Sequence, residues 1–174
     1  MRIHGHAGFS AVQHGLIDRS GYIALLGRLL GFYQMFEPAA GLPSTRSAWL
    51  KDDLADLDCL QSDIAAFPAC PDRLQLNTPA RRLGALYVIE GSALGGRELA
   101  KGLDGLLGTG AIAGRRFFTG RGAQTGETWR QLLATLEGMS NDIALRREVV
   151  ETAASTFEAF EQWLNRWQKD ANCG

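Results

Sequence analysis

The sequence predicts an all-α fold, a single-domain bundle of roughly seven or eight helices that spans residues 1–174. Apolar residues recur along most of the chain at the three-to-four-residue spacing that places them on one face of a helix. No segment alternates apolar and polar residues as a half-buried strand would. A chain of 174 residues that is 45% hydrophobic is suited to one domain with a sizeable core.

The N-terminal half contains two clear helical patterns. Ser20 is a residue type that caps helices, and Pro38 is expected to end the helix that Ser20 begins. The apolar face of this helix consists of Tyr22, Leu25, Leu26, Leu29, Leu30, Tyr33 and Phe36. After a connection rich in Gly, Pro and Ser, the next helix carries Trp49, Leu50, Leu54 and Leu57. Residues 59–77 are expected to form an irregular link with one short turn.

A glycine cluster interrupts the next predicted helix, which covers residues 78–99. Thr78 is expected to cap this helix, with Pro79 at its favoured first position. Each glycine inside a helix costs about 0.5–1 kcal/mol relative to alanine. Even so, this helix contains Gly91, Gly95 and Gly96. We therefore predict a break or kink at the cluster, which serves either close helix packing or contact between the backbone and a large planar group.

The C-terminal third of the chain is predicted to contain two helices after a loop region. Residues 102–126 are glycine-rich and are expected to loop around a short apolar piece. Thr125 is expected to cap a helix that carries Trp129, Leu132, Leu133 and Leu136. Asn141 or Asp142 is expected to open the last long helix, whose apolar residues are Ile143, Val149, Val150, Ala153, Phe157, Phe160, Leu164 and Trp167.

Four sequence blocks resemble bacterial heme oxygenases, and they occur in the order of that family. Residues 86–96, Leu-Tyr-Val-Ile-Glu-Gly-Ser-Ala-Leu-Gly-Gly, resemble the distal-helix signature, in which a glycine-rich helix bends over one face of the heme. Residues 28–37, Arg-Leu-Leu-Gly-Phe-Tyr-Gln-Met-Phe-Glu, resemble the second-helix motif. Residues 117–129 resemble the passage with a double phenylalanine, a glycine turn and a tryptophan, and residues 153–164 resemble the last helix.

The resemblance implies a heme-oxygenase-like helical domain and a heme-degrading monooxygenase. Heme would be both substrate and cofactor, and it would be cleaved to biliverdin, carbon monoxide and ferrous iron. Electrons would come from a separate donor such as a ferredoxin or a flavin reductase, and a phytochrome is a candidate recipient of the biliverdin. The residues implied to approach the reacting face are Gly91, Ser92, Gly95 and Gly96.

Two polar residues of the glycine block have different expected roles. Ser92 stands where many members of the family carry an aspartate that orders the distal water molecules. A hydroxyl group both donates and accepts hydrogen bonds, so Ser92 can hold such a network. Glu90 is expected to lie on the opposite side from the glycine face and to be structural.

An apolar slot and a cationic rim would complete a heme site. Candidate walls on the second and last helices are Tyr33, Phe36, Phe157 and Phe160, with Phe32 beside them. A propionate contact is assigned to Arg121, which stands where relatives tend to have tyrosine. The sequence does not separate it from the other candidates, Arg19, Arg116 and Arg166. The competing interpretation is that the aromatic residues are ordinary core and that the arginines are solvated.

The heme iron would need an axial histidine on the first helix. The family pattern places this ligand just upstream of Met1, so the chain begins late, the register slips or the ligand is lost. His4 is the first candidate metal ligand because it lies one helical turn beyond the expected place, and His6 is the second. His14 precedes a predicted turn and is expected to be a solvated loop residue. The alternative is that all three are ordinary surface histidines.

Composition argues against several other classes of protein. A net charge of −1 is unlike the basic surface of a nucleic-acid-binding domain, and no apolar run approaches the eighteen or so residues that span a bilayer. No cationic leader precedes an apolar segment, so we expect a cytoplasmic protein without a membrane partner. The cysteines lack CxxC spacing and are expected to be reduced thiols: Cys59, Cys70 and Cys173.

Two alternatives to a heme-degrading enzyme remain open. A catalytically inactive relative that lacks the axial histidine would bind a tetrapyrrole or serve as a scaffold, and it would keep the glycine helix for packing. A thiamine-degrading enzyme of related architecture would need a cysteine with carboxylate partners in the core, whereas all three cysteines lie in or near predicted loops or the tail. A di-iron carboxylate bundle would need paired Glu-x-x-His motifs, which the sequence lacks.

Overall fold

Ten helices form the regular structure of the chain in a computed structural model that describes residues 6–139 and 141–170, with side chains up to residue 166. No strand occurs in these residues, which confirms the predicted all-α fold, and none of the helices there is long and apolar enough to cross a membrane. In chain order the helices are α1 (Ala7–Gln13), α2 (Arg19–Ala40), α3 (Thr45–Asp56), α4 (Gln61–Ala66), α5 (Pro79–Ala93), α6 (Gly96–Gly102), α7 (Asp104–Leu107), α8 (Arg116–Thr119), α9 (Gln124–Gly138) and α10 (Ile143–Asp170).

The central helix of the fold is α2. Every residue from Leu25 to Tyr33 is buried, so the helix is covered on all sides over this stretch. A helix that is apolar on all sides belongs in the interior, and α3 and α10 both pack against it. At Gly31 a Cβ atom would lie 2.2 Å from the carbonyl oxygen of Pro68, so the link after α4 crosses α2 at a point that admits no side chain.

The glycine-bearing helix α5 lies along α10 and also packs against α9. Its predicted start is confirmed: the hydroxyl of Thr78 accepts a hydrogen bond from the Arg81 N–H at 3.2 Å, and Pro79 is the first helical residue. A Cβ atom at Gly84 would lie 2.3 Å from the carbonyl oxygen of Val149. The two helix backbones therefore meet directly at this crossing.

The break predicted within the glycine cluster is also confirmed. Leu94 and Gly95 separate α5 from α6. The N–H of Leu94 donates to the carbonyl oxygen of Gly91, and the N–H of Gly95 donates to that of Ser92, both at 3.3 Å. These three-residue hydrogen bonds belong to a tightened 3₁₀-like turn, which ends the regular α-helical ladder.

Both predicted ends of α2 were wrong by a few residues. Asp18, rather than Ser20, caps the helix, because its carboxylate accepts the N–H of Gly21 at 2.7 Å. The helix also continues past Pro38, since the fixed φ of proline is compatible with a helical turn. It stops where Gly41 adopts a left-handed conformation with φ of 69°, which glycine tolerates better than other residues.

The C-terminal third differs from prediction in its short helices. Residues 102–126 contain two one-turn helices, α7 and α8, in addition to loops. Thr125 lies inside α9, whose cap position is Ala123 without a side-chain hydrogen bond. Asp142 does open α10, as predicted, because its carboxylate accepts the N–H groups of Ala144 and Leu145 at 2.9 and 3.0 Å.

Candidate functional site

A cavity of about 540 Å³ lies beside the break between α5 and α6. Its volume is within the range of small-molecule and cofactor sites. The segment of residues 87–96 contributes every one of its residues to the lining, and α2, α3, α8, α9 and α10 supply further walls. The aromatic residues of the lining are Phe9, Tyr33, Trp49, Tyr87, Phe117, Phe118, Trp129, Phe157 and Phe160.

The three glycines of the cluster all line this cavity, but their surroundings differ. A Cβ atom at Gly96 would lie 2.4 Å from the carbonyl oxygen of Phe118, so Gly96 allows α6 and α8 to pack backbone against backbone. A Cβ atom at Gly91 would lie 3.3 Å from the indole ring of Trp129. Gly95 lies at the break itself and lines the cavity there. Gly96 therefore serves close packing of two helices, whereas Gly95 leaves the backbone at the break open to the cavity.

Ser92 lies in the same wall and is exposed. Its hydroxyl donates to the carbonyl oxygen of Val88, one turn earlier in α5, at 2.7 Å. The oxygen of that hydroxyl still has lone pairs that can accept a hydrogen bond. The Ser92 hydroxyl can therefore accept a hydrogen bond from a group in the cavity while it donates its own hydrogen bond to Val88.

Three of the aromatic residues expected on the second and last helices line the cavity: Tyr33, Phe157 and Phe160. Phe36 and Phe32 do not line it. They are fully buried behind it, with their rings stacked at 5.8 Å between centroids, while the Phe32 ring also meets Phe160 edge to face at 4.8 Å. These two residues are core, and they fix the position of the wall.

A buried ion-pair cluster forms the polar part of the lining. Glu90 Oε1 lies 2.9 Å from Arg46 Nη2 and 3.5 Å from Arg121 Nη1. The side chains of Arg46 and Glu90 are 9% and 7% exposed, whereas that of Arg121 is 37% exposed. Glu90 thus lines the cavity on the same segment as the glycines, where the sequence had placed it on the opposite side.

Glu37, the last residue of the second-helix motif, fixes the position of Arg46. Its carboxylate accepts the N–H of Arg46 at 2.7 Å and the N–H of Ser47 at 3.2 Å, and it also accepts the Ser47 hydroxyl. These N–H groups belong to the first turn of α3, which has no side-chain cap of its own. A glutamate from α2 therefore caps α3 and holds the arginine that pairs with Glu90.

Tyr33 lies between this cluster and the aromatic walls. The Arg46 guanidinium is 5.8 Å from the centre of the Tyr33 ring. Burial raises the pKa of Tyr33 to about 12, although the positive charge of Arg46 acts in the opposite direction. The phenol is consequently neutral at physiological pH and can donate a hydrogen bond.

The described histidines lie away from the cavity lining. His6 caps α1: its Nδ1 accepts the N–H of Gly8 at 3.1 Å, so its Nε2 carries the proton and donates to the carbonyl oxygen of Leu164 at 3.2 Å. Burial lowers the pKa of His6. His14 is exposed and bonds to the carbonyl oxygen of Ser10 at 2.7 Å. His4 lies outside the described residues.

Arg121 is the one sequence-predicted arginine that lines the cavity within the described residues. Arg19 pairs with Asp58 at 2.6 Å, and Arg166 is exposed on α10. Arg116 pairs with the carboxylates of Asp53 and Asp56. The other candidate rim residues therefore have contacts elsewhere or face away from the lining.

Asp53 anchors the double-phenylalanine wall. This fully buried carboxylate accepts the N–H groups of Arg116 and Phe117 at 2.8 and 2.9 Å, so α3 caps α8. Burial raises the pKa of Asp53 to about 6, although these hydrogen bonds favour its charged form. The position of Phe117 and Phe118 in the cavity wall thus depends on a carboxylate outside it.

The described cysteines do not contribute to the cavity. Cys70 is buried and Cys59 is partly buried, and neither lines it. Burial raises the pKa of both thiols, which disfavours the reactive thiolate. Cys173 lies outside the described residues. This arrangement gives no support to a cysteine nucleophile in the cavity.

Sequence reasoning missed several residues of the site. Arg46 and Trp49 lie at the beginning of α3, and Arg46 falls in a stretch that was expected to be a connection. Trp129 belonged to a quoted block, but its contact with Gly91 depends on how α9 packs against α5. The ion pair between Arg46 and Glu90 joins residues that are far apart in the chain. The sequence shows that the two side chains carry opposite charges, but it does not show that they meet.

The sequence model of the heme oxygenase family matches residues 6–166 of this chain. The match covers most of the chain and includes all four blocks on which the resemblance was based. No curated protein matches the chain in sequence.

Proposed function

We propose that this chain, which belongs to the heme oxygenase family, binds heme in the cavity at the end of α5 and cleaves it to biliverdin, carbon monoxide and ferrous iron. The family match supports heme degradation in general. The observation that carries the specific proposal is the position of the cavity: the glycine-bearing break forms one wall and aromatic residues of α2 and α10 form others.

The chemistry of the lining fits a flat, largely apolar molecule with an acidic edge. Phe157 and Phe160 offer apolar faces that a porphyrin ring can pack against. At Gly95 the wall has no side chain, so the backbone can lie against the ring. Arg121 is the partly exposed cation that can meet a propionate group.

Bound heme would supply the iron centre at which dioxygen is reduced and the ring that is oxidised. The distal residues of this chain, Gly91, Ser92, Gly95 and Gly96, would keep bulky and basic side chains away from that centre. The Ser92 hydroxyl would accept a hydrogen bond from ordered water, and the neutral Tyr33 phenol would donate one. The phenylalanine walls would exclude bulk water from the reacting face.

The axial ligand in this proposal is His4, with His6 as the second choice. To serve, His6 would have to give up a hydrogen bond, because both of its ring nitrogens have partners in the described structure. Its lowered pKa favours the neutral imidazole that iron requires. His4 is the first choice because it lies one helical turn beyond the place where the family pattern puts the ligand.

The remaining parts of the proposal concern the setting of the reaction. The chain would act as one domain over residues 1–174 in the cytoplasm, with electrons from a ferredoxin or a flavin reductase. Biliverdin would pass to a phytochrome where it serves as a chromophore. The second candidate function is an inactive tetrapyrrole-binding or scaffold protein, and it is favoured by one observation: neither described histidine lines the cavity.

Single-turnover degradation of bound hemin separates the two candidates. With reductant and air, the heme absorption of the parent chain should decay while that of a bilin appears, and carbon monoxide should be released. His4→Ala should abolish the sharp Soret band of a histidine-ligated complex, whereas an intact band would transfer the role to His6. A chain that binds hemin but never degrades it is the inactive relative, and a chain that does not bind hemin contradicts the proposal.

A further inference from the structure

Glu90 forms ion pairs with two arginines, although one would balance its charge, and the two arginines differ in burial. Arg46 is buried with Glu90, lies 2.9 Å from it and is held in place by the Glu37 cap. Arg121 lies farther away, at 3.5 Å, and 37% of its side chain is exposed. A buried ion pair costs desolvation and is weak evidence for stability alone, so a charged cluster in a cavity wall calls for a functional explanation.

We propose that Glu90 is a specificity-determining residue that competes with the carboxylates of the substrate for Arg121. This inference rests on the proposed function, since it requires a tetrapyrrole acid in the cavity. In the free protein the Glu90 carboxylate occupies the place beside Arg121 that a substrate carboxylate would take. When a carboxylate enters, Arg121 transfers to it and Glu90 keeps Arg46.

The exchange leaves no buried charge without a partner. Glu90 Oε1 contacts both arginines, so the departure of Arg121 still leaves the shorter contact with Arg46. Removal of the only partner of a buried charge is strongly unfavourable, and Glu90 avoids that loss because Arg46 stays in contact with it. The Arg121 side chain can reach a ligand because it lines the cavity and is 37% exposed, in a turn outside any helix.

The exchange also predicts which ligands the cavity distinguishes. An acidic tetrapyrrole offers Arg121 a replacement for Glu90, whereas its neutral ester offers none. Glu90 therefore lowers the affinity for the acid by the strength of its contact with Arg121, and it does not act on the ester through that contact. A residue with a purely structural role would change the binding of both ligands equally.

The test compares hemin with hemin dimethyl ester in Glu90→Gln, in Arg121→Gln and in the parent chain, with binding followed by the Soret absorption. Glu90→Gln should raise the ratio of hemin affinity to ester affinity about two- to fivefold, the range of a partly exposed ion pair. Arg121→Gln should lower that ratio. In a fourth chain that carries both substitutions, adding Glu90→Gln to Arg121→Gln should change the ratio less than Glu90→Gln changes it in the parent. The matched control is Glu98→Gln, which removes a surface ion pair with Lys101 on α6.

The outcomes distinguish this inference from the proposed function. A ratio that Glu90→Gln leaves unchanged or lowers overturns the competition, even if hemin binds well. If Glu90→Gln does not fold, the exposed partner decides: Arg121→Gln should lower the ratio, and equal losses for hemin and its ester would contradict the competition. A parent chain that binds neither ligand overturns the proposed function, and the competition with it.

Discussion

Asp53 shows how a single residue outside the cavity shapes its wall. Its carboxylate has no exposed surface, yet it caps α8 through the N–H groups of Arg116 and Phe117. Burial raises its pKa from 3.8 to about 6 in the folded protein. A raised folded-state pKa means that the folded state binds the proton more tightly than the unfolded state does. The tighter binding of this proton stabilises the folded state. Its contribution to the free energy of unfolding is complete below about pH 3.8 and is lost as the pH rises through about 6.

Asp53→Asn should remove this pH dependence. The free energy of unfolding of the parent, minus that of the variant, should fall by roughly 1–3 kcal/mol as the pH rises from about 4 to 7. Urea denaturation at several pH values measures this difference. Asp52→Asn is the control, because Asp52 is the exposed neighbour on the same helix. A difference that stays constant, or that grows with pH, would show that Asp53 is not the buried acid described here.

At the residue scale, the sequence revealed unusual residues better than their partners. The glycine cluster stood out because glycine is costly in a helix, and all three members line the cavity. Arg121 also lines it, as expected. Arg46 was missed because an arginine at the beginning of a helix is usually solvated. Its burial depends on Glu37 and Glu90, which reach it from two other helices.

At the scale of elements, α6 and α8 meet at a contact between backbones. Gly96→Ala would place a Cβ atom 2.4 Å from the Phe118 carbonyl oxygen, which belongs to the main chain and cannot turn aside. This variant should lower the free energy of unfolding by about 1–3 kcal/mol. Gly91→Ala should cost less, since it meets only the Trp129 ring at 3.3 Å and that side chain can shift.

Urea denaturation followed by circular dichroism tests this difference between the glycines. Gly138→Ala is the control, because a Cβ atom there meets nothing within 4 Å at the end of α9. That change should leave stability unaltered or raise it by up to about 1 kcal/mol. Equal stability of Gly96→Ala and the parent would mean that α6 and α8 are not packed as described.

Helix ends were predictable where a local chemical signal was present. Thr78 with Pro79, and Asp142, mark helix starts through hydrogen bonds and backbone angles within a few residues. The one-turn helices α7 and α8 were not predictable, because four residues are too few to show a helical period. The extension of α2 past Pro38 was missed because proline is compatible with a last helical turn that Gly41 then ends.

At the scale of the whole molecule, the cavity exists because distant segments converge on the break between α5 and α6. Its lining comes from α1, α2, α3, α8, α9 and α10 as well as from the break. The sequence predicted walls from the glycine cluster, α2 and α10, but it did not predict the contributions of α1 and α3. It also did not predict that internal carboxylates would neutralise the arginines of the site, since ion pairing depends on tertiary packing. We propose that heme lies in this cavity against Gly95.

The most direct test is an optical titration of the parent chain and of Gly95→Leu with hemin. The parent should show a saturable Soret band, and Gly95→Leu should bind about tenfold more weakly or worse while its helical circular dichroism is retained. Gly138→Leu, an equally large change at an exposed glycine away from the cavity, should bind as the parent does. Equal hemin affinity of Gly95→Leu and the parent would contradict the claim that this cavity is the heme site.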